Sequence, residues 1–347
     1  MAKGFCIVLV VWFHVFEYYD IQLPMHSFFS SFRMPLYFVL SGCFFKTYSG
    51  IVDFTKRKCN KLLIPFSFFY VTTSLFIPFL LFEFFDIRMQ HGQLYYNSHN
   101  ICRIIAHEGF PNVPIWFLLC LFEINMIFYV VMLLGNKTKK PDAIIFLCTF
   151  LIGAAGLVCS YFRIYLPGFI DSSFSSFPFF VFGYYVYRRT NMLKPNKTDG
   201  YLLCFVVVLV IAVAILSYNC DFRFAANIFG LKEILVLYPC GVMGALSVFF
   251  LTKYFKHIPV LSYWGRYSIM LLVSHQLVYQ VFAYVLSFLN LSVVVVAFIN
   301  TVLTLGVYMF LIPFMLKYMP YVTAQKDLIR INNQVSTNEG ISPNVVC

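Results

Sequence analysis

Charged residues are scarce in this sequence. Asp, Glu, Lys and Arg make up only 11% of its 347 residues, whereas they supply about a quarter of an average soluble domain. Hydrophobic residues make up 61%, which is more than the interior of a water-soluble domain of this length can hold. A soluble globular protein is therefore excluded, and we expect the lipid bilayer to surround most of the chain.

Motifs for binding metals, phosphates or nucleic acids are also missing. The eleven cysteines are scattered singly, without a CxxC pair or the spacing of metal ligands, and most are expected to be small buried apolar residues. No Gly-rich phosphate loop, internal repeat or soluble second domain is apparent. The net charge of +11 does not indicate nucleic acid, because the basic residues form short clusters between apolar runs. We therefore predict no metal, no bound cofactor and no nucleic-acid partner.

What the sequence does contain is a series of long apolar runs. An α-helix needs about 20 residues, sometimes only about 17, to cross the hydrocarbon core of a bilayer. The approximate runs are residues 4–19, 28–47, 62–85, 112–134, 143–161, 173–187, 201–218, 232–252, 267–288 and 291–316. We therefore predict an all-α fold, a bundle of about ten transmembrane helices over residues 1–320, followed by a polar cytoplasmic tail over residues 321–347.

The charges in the loops support this count. Of the 25 Lys and Arg residues, 19 lie in alternate loops on one side of the predicted membrane and six on the other. The positive-inside rule places the basic side, and with it both termini, in the cytoplasm. We therefore expect a multi-pass protein of the inner, cytoplasmic membrane, with membrane lipids as partners. A signal peptide is the weaker reading of the first run, because the run carries His14 and Glu17 and no A-x-A-like site follows it.

Ionisable residues inside the predicted helices are the first functional candidates, because each is costly in a membrane. They are His14, Arg33, Glu123 and His275. His14 and His275 are both predicted to lie about 12 to 15 Å deep, so they can share one cavity. Glu17 follows His14 by three residues on the same helix face and can orient its imidazole. The alternatives are structural: a lone histidine can bond a neighbouring helix, Glu123 can pair with an Arg or a hydroxyl, and Arg33 can extend to the interface.

Two loop segments carry further polar residues. Residues 56–61 contain four basic side chains, which fit a topology determinant attracted to anionic lipid headgroups or a docking site for an anionic cytosolic substrate. Residues 86–111 form the longest outer connection and contain three histidines. We predict that this connection is a partly structured external segment.

Six motifs, taken together and in this order, resemble those of a known family. They are Lys3-Gly4 eleven positions before His14, Phe32 to Gly42 with Met-Pro-Leu and Leu-Ser-Gly, Lys61-Leu62-Leu63-Ile64-Pro65, Trp116-Phe117-Leu118, Phe177 to Tyr185, and Gly265-Arg266-Tyr267-Ser268 with His275. The sequence is identified by these motifs as similar to the membrane-bound acyltransferase family 3. It departs from the family in having Lys3 where many members have Arg, and Arg33 where the Met-Pro-Leu branch usually has His. Lys cannot make the bidentate fork of Arg to a phosphate or carboxylate.

The resemblance implies transfer of an acyl group, usually acetyl from acetyl-CoA as co-substrate, to a sugar hydroxyl. The acceptor would be a cell-surface polysaccharide, a glycolipid or a lipid-linked precursor. Our hypothesis gives each site residue one role: His14 as general base, Glu17 to orient it, Lys3, Arg57, Lys58 and Lys61 for the donor phosphates, and Arg33, Trp116, Ser268 and His275 to line the cavity or the acceptor path. A covalent acyl-histidine intermediate remains an open alternative.

Two other functions fit the sequence. A transporter or flippase of a lipid-linked oligosaccharide would also need about ten helices, buried polar groups and aromatic walls. A purely structural membrane component would explain the basic loops, but not two histidines at matched depth.

Overall fold

A computed structural model of the protein describes residues 1–21, 25–77, 79–80, 84, 112–190, 200–255 and 257–331. The predicted external segment, residues 86–111, therefore lies outside the described residues, and so does the tail from residue 332 onwards.

The described residues are helical apart from turns and one isolated antiparallel bridge between Arg223 and Ile228. The α-helices are α1 (Ala2–Tyr18), α2 (His26–Cys43), α3 (Ile51–Lys58), α4 (Ile64–Val71), α5 (Trp116–Asn136), α6 (Pro141–Phe162), α7 (Ile170–Arg189), α8 (Gly200–Leu216), α9 (Leu231–Tyr254), α10 (Pro259–Arg266), α11 (Ser268–Leu286) and α12 (Val293–Tyr318). Short 3₁₀ turns, Val113–Ile115 and Pro167–Phe169, precede α5 and α7. This part of the prediction, an all-α fold, is confirmed.

Several helices can cross a bilayer. In the described part of the chain, five are long and apolar enough: Val113–Asn136, Pro141–Phe162, Leu231–Tyr254, Ser268–Leu286 and Val293–Tyr318. Each of the ten predicted runs overlaps a helix, but α1 and α8 have only 17 residues each, or about 25 Å of length. Ten crossings, with both termini inside, therefore stay a prediction.

The third predicted span is not a regular α-helix. Between α3 and α4 the chain forms a π-helical segment, Cys59–Leu63, in which the Ile64 N–H bonds the carbonyl of Cys59. Pro65 follows at once, and since proline has no N–H it cannot bond the carbonyl of Lys61 in the α-helical manner. A second π-helical segment, Thr72–Phe76, follows α4. The Leu-Leu-x-Pro motif therefore marks a local widening of the helix.

Glycines let pairs of helices approach at backbone distance. A Cβ added to Gly42 of α2 would overlap the carbonyl oxygen of Phe180, and one added to Gly183 of α7 would overlap that of Val39. Small residues at an interface permit such close packing of membrane helices. Two of the motifs found in the sequence thus meet at one contact, between α2 and α7.

A second glycine contact fixes the beginning of α1 against α10. A Cβ on Gly4 would overlap the carbonyl oxygen of Leu261, and a Cβ on Gly265 would lie 2.7 Å from the Gly4 nitrogen. The glycine of the Lys3-Gly4 pair therefore holds the start of α1 in place. Along the rest of its length α1 also packs against α2, α11 and α12.

The first part of the predicted tail packs against the helices. The Asn60 side chain is fully buried, and its amide nitrogen donates to the carbonyl of Ile329 at 2.9 Å. Its oxygen accepts hydrogen bonds from the N–H groups of Leu328, at 3.0 Å, and Ile329, at 2.8 Å. Residues 320–331, here called the C-terminal segment, are therefore anchored beside the π-helical segment.

Candidate active site

His14 and Glu17 form a pair on α1. Nδ1 of His14 lies 3.3 Å from Oε2 of Glu17, as their spacing of three residues on one helix face allows. The His14 side chain is 19% exposed and that of Glu17 is 53% exposed. Because a carboxylate only accepts hydrogen bonds, this contact assigns the His14 hydrogen to Nδ1 and leaves Nε2 as the basic nitrogen.

His275 of α11 lies beside His14. The centroids of the two imidazole rings are 5.5 Å apart, so residues 261 positions apart in the sequence face each other in the fold. His275 is fully buried, and its Nδ1 lies 2.8 Å from the carbonyl oxygen of Leu271 and 3.1 Å from that of Leu272. The structure therefore brings together three of the predicted site residues, from two helices.

Arg33 is buried next to this group. Its guanidinium carbon lies 3.8 Å from the centroid of the Phe13 ring, one residue before His14, and only 8% of the residue is exposed. A cation over an aromatic face is stabilised more strongly away from water. This burial does not favour the alternative in which Arg33 extends to the interface, because its side chain is turned into the bundle over Phe13.

Two residues that sequence reasoning missed, Tyr279 and Asn300, pack next to the histidines or bond to residues that do. The Tyr279 ring lies 6.3 Å from that of His275 and 5.5 Å from that of Tyr18. The Asn300 side chain of α12 is fully buried and donates to the Tyr279 carbonyl at 3.0 Å and to the Tyr19 hydroxyl at 3.1 Å. The signal for Asn300 was a lone amide within an apolar run, the same kind of signal that singled out the histidines.

Three predicted donor-binding residues gather around the turn that follows α2. Nζ of Lys3 lies 5.3 Å from the centroid of the Phe44 ring, and the Arg57 guanidinium lies 4.6 Å from that of Tyr48. Nζ of Lys58 lies 5.7 Å from the centroid of Phe45. Together with Lys61 these residues form what we call the basic cluster.

Members of the basic cluster already contact acceptor groups. Nε of Arg57 bonds both carboxylate oxygens of Asp53, at 3.1 and 3.0 Å, which lowers the pKa of Asp53. Nζ of Lys61 donates to the carbonyl of Ala324 at 2.7 Å and lies 3.8 Å from Oδ1 of Asp327. Burial of Lys58 disfavours its charged form and lowers its pKa to about 8.

The remaining predicted site residues, Trp116 and Ser268, are the first residues of α5 and α11. Trp116 is buried at the start of α5, where its ring packs against Phe117 and Phe169. Ser268 begins α11, seven residues before His275, or about 10 Å along the helix axis. Neither is brought to the pair by a ring contact or hydrogen bond among the described residues.

Glu123, the other ionisable candidate, belongs to a different cluster. Its carboxylate accepts a hydrogen bond from the Ser173 hydroxyl at 2.6 Å, which ties α5 to α7. This contact fits the structural reading of Glu123. Within the described ranges, no group of three or more His, Cys, Asp or Glu side chains is placed to hold a metal ion.

Comparison with known proteins identifies one family. The model of the acyltransferase family 3, described as "Acyltransferase domain", matches residues 1–318. No curated protein and no solved structure matches the chain significantly. The match includes every predicted site residue and all the apolar helices described above. The chain thus belongs to acyltransferase family 3 and is a multi-pass membrane acyltransferase.

Proposed function

We propose that the protein transfers an acyl group, specifically acetyl, from acyl-CoA to a sugar hydroxyl. The acceptor would be a cell-surface polysaccharide, a glycolipid or a lipid-linked precursor, and the protein would act in the cytoplasmic membrane. The observation that carries this proposal is the His14–Glu17 pair beside the buried ring of His275, in which the His14 side chain is 19% exposed and that of Glu17 53%.

His14 acts as the general base in this proposal. Nε2 of His14 takes the hydroxyl proton while the sugar oxygen attacks the carbonyl carbon of the thioester. The C–S bond then breaks, and the sulfur of CoA takes the proton from the imidazolium. The Glu17 carboxylate, next to Nδ1, holds the ring in the required tautomer and stabilises the imidazolium between the two proton transfers. A covalent acyl-histidine would use the same nitrogen as nucleophile.

The basic cluster supports a cytosolic, phosphate-bearing donor. Lys3 and His14 are on the same helix, eleven residues or about 16 Å apart along its axis. The phosphates of CoA can bind near Lys3, Arg57, Lys58 and Lys61 while the long thin arm reaches towards His14 with the thioester. Glu17, at the opposite end of α1, is the more exposed partner of the pair, and we place the approach of the acceptor there. Arg33 and His275 would line that path.

Family membership does not favour the transporter or flippase. A transporter would leave the thioester intact while it moved the acceptor. The two functions therefore differ in whether acyl-CoA is consumed.

The experiment is acyl transfer by the full-length protein, purified in detergent, from labelled acetyl-CoA to a glycan fraction of the cell envelope. The wild type should label the glycan, and His14→Ala should lose at least about a hundredfold in rate, because a general base contributes about 10²- to 10⁴-fold. His257→Ala is the matched control, since His257 is an exposed histidine in the turn between α9 and α10. Wild-type protein that consumes no thioester would overturn the proposed activity, and undiminished transfer by His14→Ala would remove His14 from the mechanism.

A further inference from the structure

The two ring nitrogens of His275 have different roles. Nδ1 faces the carbonyl oxygens of Leu271 and Leu272, at 2.8 and 3.1 Å. Carbonyl oxygens only accept hydrogen bonds, so these contacts assign the ring hydrogen to Nδ1. Nε2 of the neutral ring is therefore a hydrogen-bond acceptor, fixed in its orientation by the main chain of α11.

Among the described residues, no protein group donates to this acceptor. Nε2 of His275 is buried and makes no hydrogen bond with the described residues. Buried polar atoms in folded proteins are nearly always paired, so an orphan beside a reactive group requires an explanation. Because the ring lies 5.5 Å from that of His14, a bound substrate is the natural source of a donor.

His14 also presents a ring nitrogen that can accept a hydrogen bond. Its Nδ1–H is directed to Glu17, so its Nε2 also carries a lone pair. A single hydroxyl group has one hydrogen and can satisfy only one of the two imidazoles. An acceptor molecule that pairs with both histidines must therefore bring two donors, and the 5.5 Å between the ring centroids suits donors on adjacent carbons.

We infer, on the basis of the function proposed above, that His275 is a specificity-determining residue. It binds a second hydrogen-bond donor on the acceptor sugar. The substrate is then a secondary ring hydroxyl with a free hydroxyl or amide N–H on the adjacent ring carbon. The first donor gives its proton to His14 and becomes the acylated oxygen, while the second binds Nε2 of His275 and is not acylated. The primary C6 hydroxyl of a hexopyranose does not qualify, because the adjacent carbon C5 carries the ring oxygen, which has no hydrogen to donate.

The selectivity expected from this arrangement is large. A site built to bind a polar substrate group rejects analogues that lack it by about 10⁴- to 10⁵-fold, because the buried partner is left unpaired. A variant that lacks Nε2 of His275 has no buried acceptor to leave unpaired, so analogues are no longer penalised. It also loses the hydrogen bond to the second donor of the correct substrate. We therefore expect His275→Ala to transfer about 10- to 100-fold more slowly and to discriminate less between ring and primary hydroxyls.

The test is the position of the acyl group on glycans from cells with and without the gene, mapped by mass spectrometry and NMR after mildly acidic extraction. We expect one added acyl group on a ring hydroxyl whose neighbouring carbon carries a free hydroxyl or an amide. An acyl group on the C6 hydroxyl of a hexopyranose, or on a hydroxyl flanked only by substituted oxygens, would overturn this inference and leave the proposed function intact. No mass difference between the two glycans would instead contradict the proposed function.

A folding defect in His275→Ala would not affect the main test, because the position of the acyl group is mapped on glycans made by the wild-type protein. The variants add a second measurement. In cells that produce comparable amounts of folded protein, slower transfer by His275→Ala with some primary acylation would support the inference. Transfer by His275→Ala at the wild-type rate and position would overturn it, and His257→Ala should match the wild type in both respects.

Discussion

The two ends of α1 have opposite character. At the His14 end, two imidazoles from distant parts of the sequence meet, and one of them is fully buried. At the Lys3 end, the charges of the basic cluster lie over aromatic rings or against acceptor groups, and the side chains of Arg57 and Lys61 are 30% and 50% exposed. Buried groups depend on exact placement, whereas surface charges act at longer range and are partly interchangeable. Substitutions at the first end should therefore change kcat, and those at the second end KM for the donor.

The largest effect on stability and acyl transfer is expected from a change at the contact between Gly4 of α1 and Leu261 of α10, because this contact positions both ends of α1. Gly4→Ala places a Cβ against the carbonyl oxygen of Leu261, and the backbone of α1 or α10 must move to accommodate it. Such overpacking against a backbone should lower the free energy of unfolding by about 3 kcal/mol and shift both Lys3 and His14. Thermal unfolding of the detergent-purified protein, together with acyl transfer, measures the two consequences.

Gly306→Ala is the control for that substitution. Gly306 lies in α12, where an added Cβ would meet no atom within 4 Å, and alanine has the higher helix propensity by about 1 kcal/mol. We expect unchanged or slightly higher stability and normal transfer. If Gly4→Ala behaved in the same way, α1 would not be fixed at the Gly4–Gly265 contact.

A smaller loss is expected at the histidine end from Glu17→Gln. The amide keeps the shape of the side chain but not its charge, so the imidazolium of His14 is stabilised less. Because Glu17 is half exposed, solvent screens its charge, and we expect about a tenfold lower kcat with little change in KM. Asp20→Asn, an exposed carboxylate three residues farther along the chain, should leave kcat unchanged. A KM effect without a kcat effect would place Glu17 in acceptor binding instead.

Much of the fold was predictable because it depends on local periodicity. Apolar runs of helical length indicate helices, and each of the ten runs overlaps one. The His14–Glu17 pair also depends only on a spacing of three residues. The closeness of His14 and His275 was expected from matched depth, an argument that uses the membrane as a common reference plane.

Other features were beyond the sequence because they depend on which helices are neighbours. The sequence placed Arg33 near the outer end of the second apolar run, where it could point outwards or inwards. In the structure it is the eighth of the 18 residues of α2, and the packing of α2 against α1 shows it above Phe13. Asn60 could not be matched with Ile329, since 269 residues separate them and no periodicity connects them. Tyr279 looked like one of many aromatic core residues until its ring was seen beside that of His275.

At the basic end, Lys58→Met should raise KM for acetyl-CoA about fivefold with kcat unchanged. Methionine retains the apolar contact with the Phe45 ring and removes only the charge. Since burial lowers the pKa of Lys58 to about 8, the wild-type lysine loses its proton as the pH rises through 8. The wild-type KM should therefore rise between pH 7 and 9, and that of Lys58→Met should stay flat. Lys46→Met, an exposed lysine in the neighbouring turn, should change KM less than twofold at about the same stability.

The smallest effect is expected from Asp327→Asn, which tests whether the C-terminal segment competes with the donor for the basic cluster. The Lys61–Asp327 pair spans 3.8 Å and both side chains are about half exposed, so it contributes only a few tenths of a kcal/mol. The Ala324 carbonyl still holds the ammonium group of Lys61 in the variant, and KM for acetyl-CoA should fall by about twofold at most. The difference should vanish in high salt, because exposed charges are screened within about 3 Å at 1 M ionic strength. A higher KM in Asp327→Asn would mean that the segment helps to form the donor site, since removing a competing carboxylate can only improve the binding of an anion.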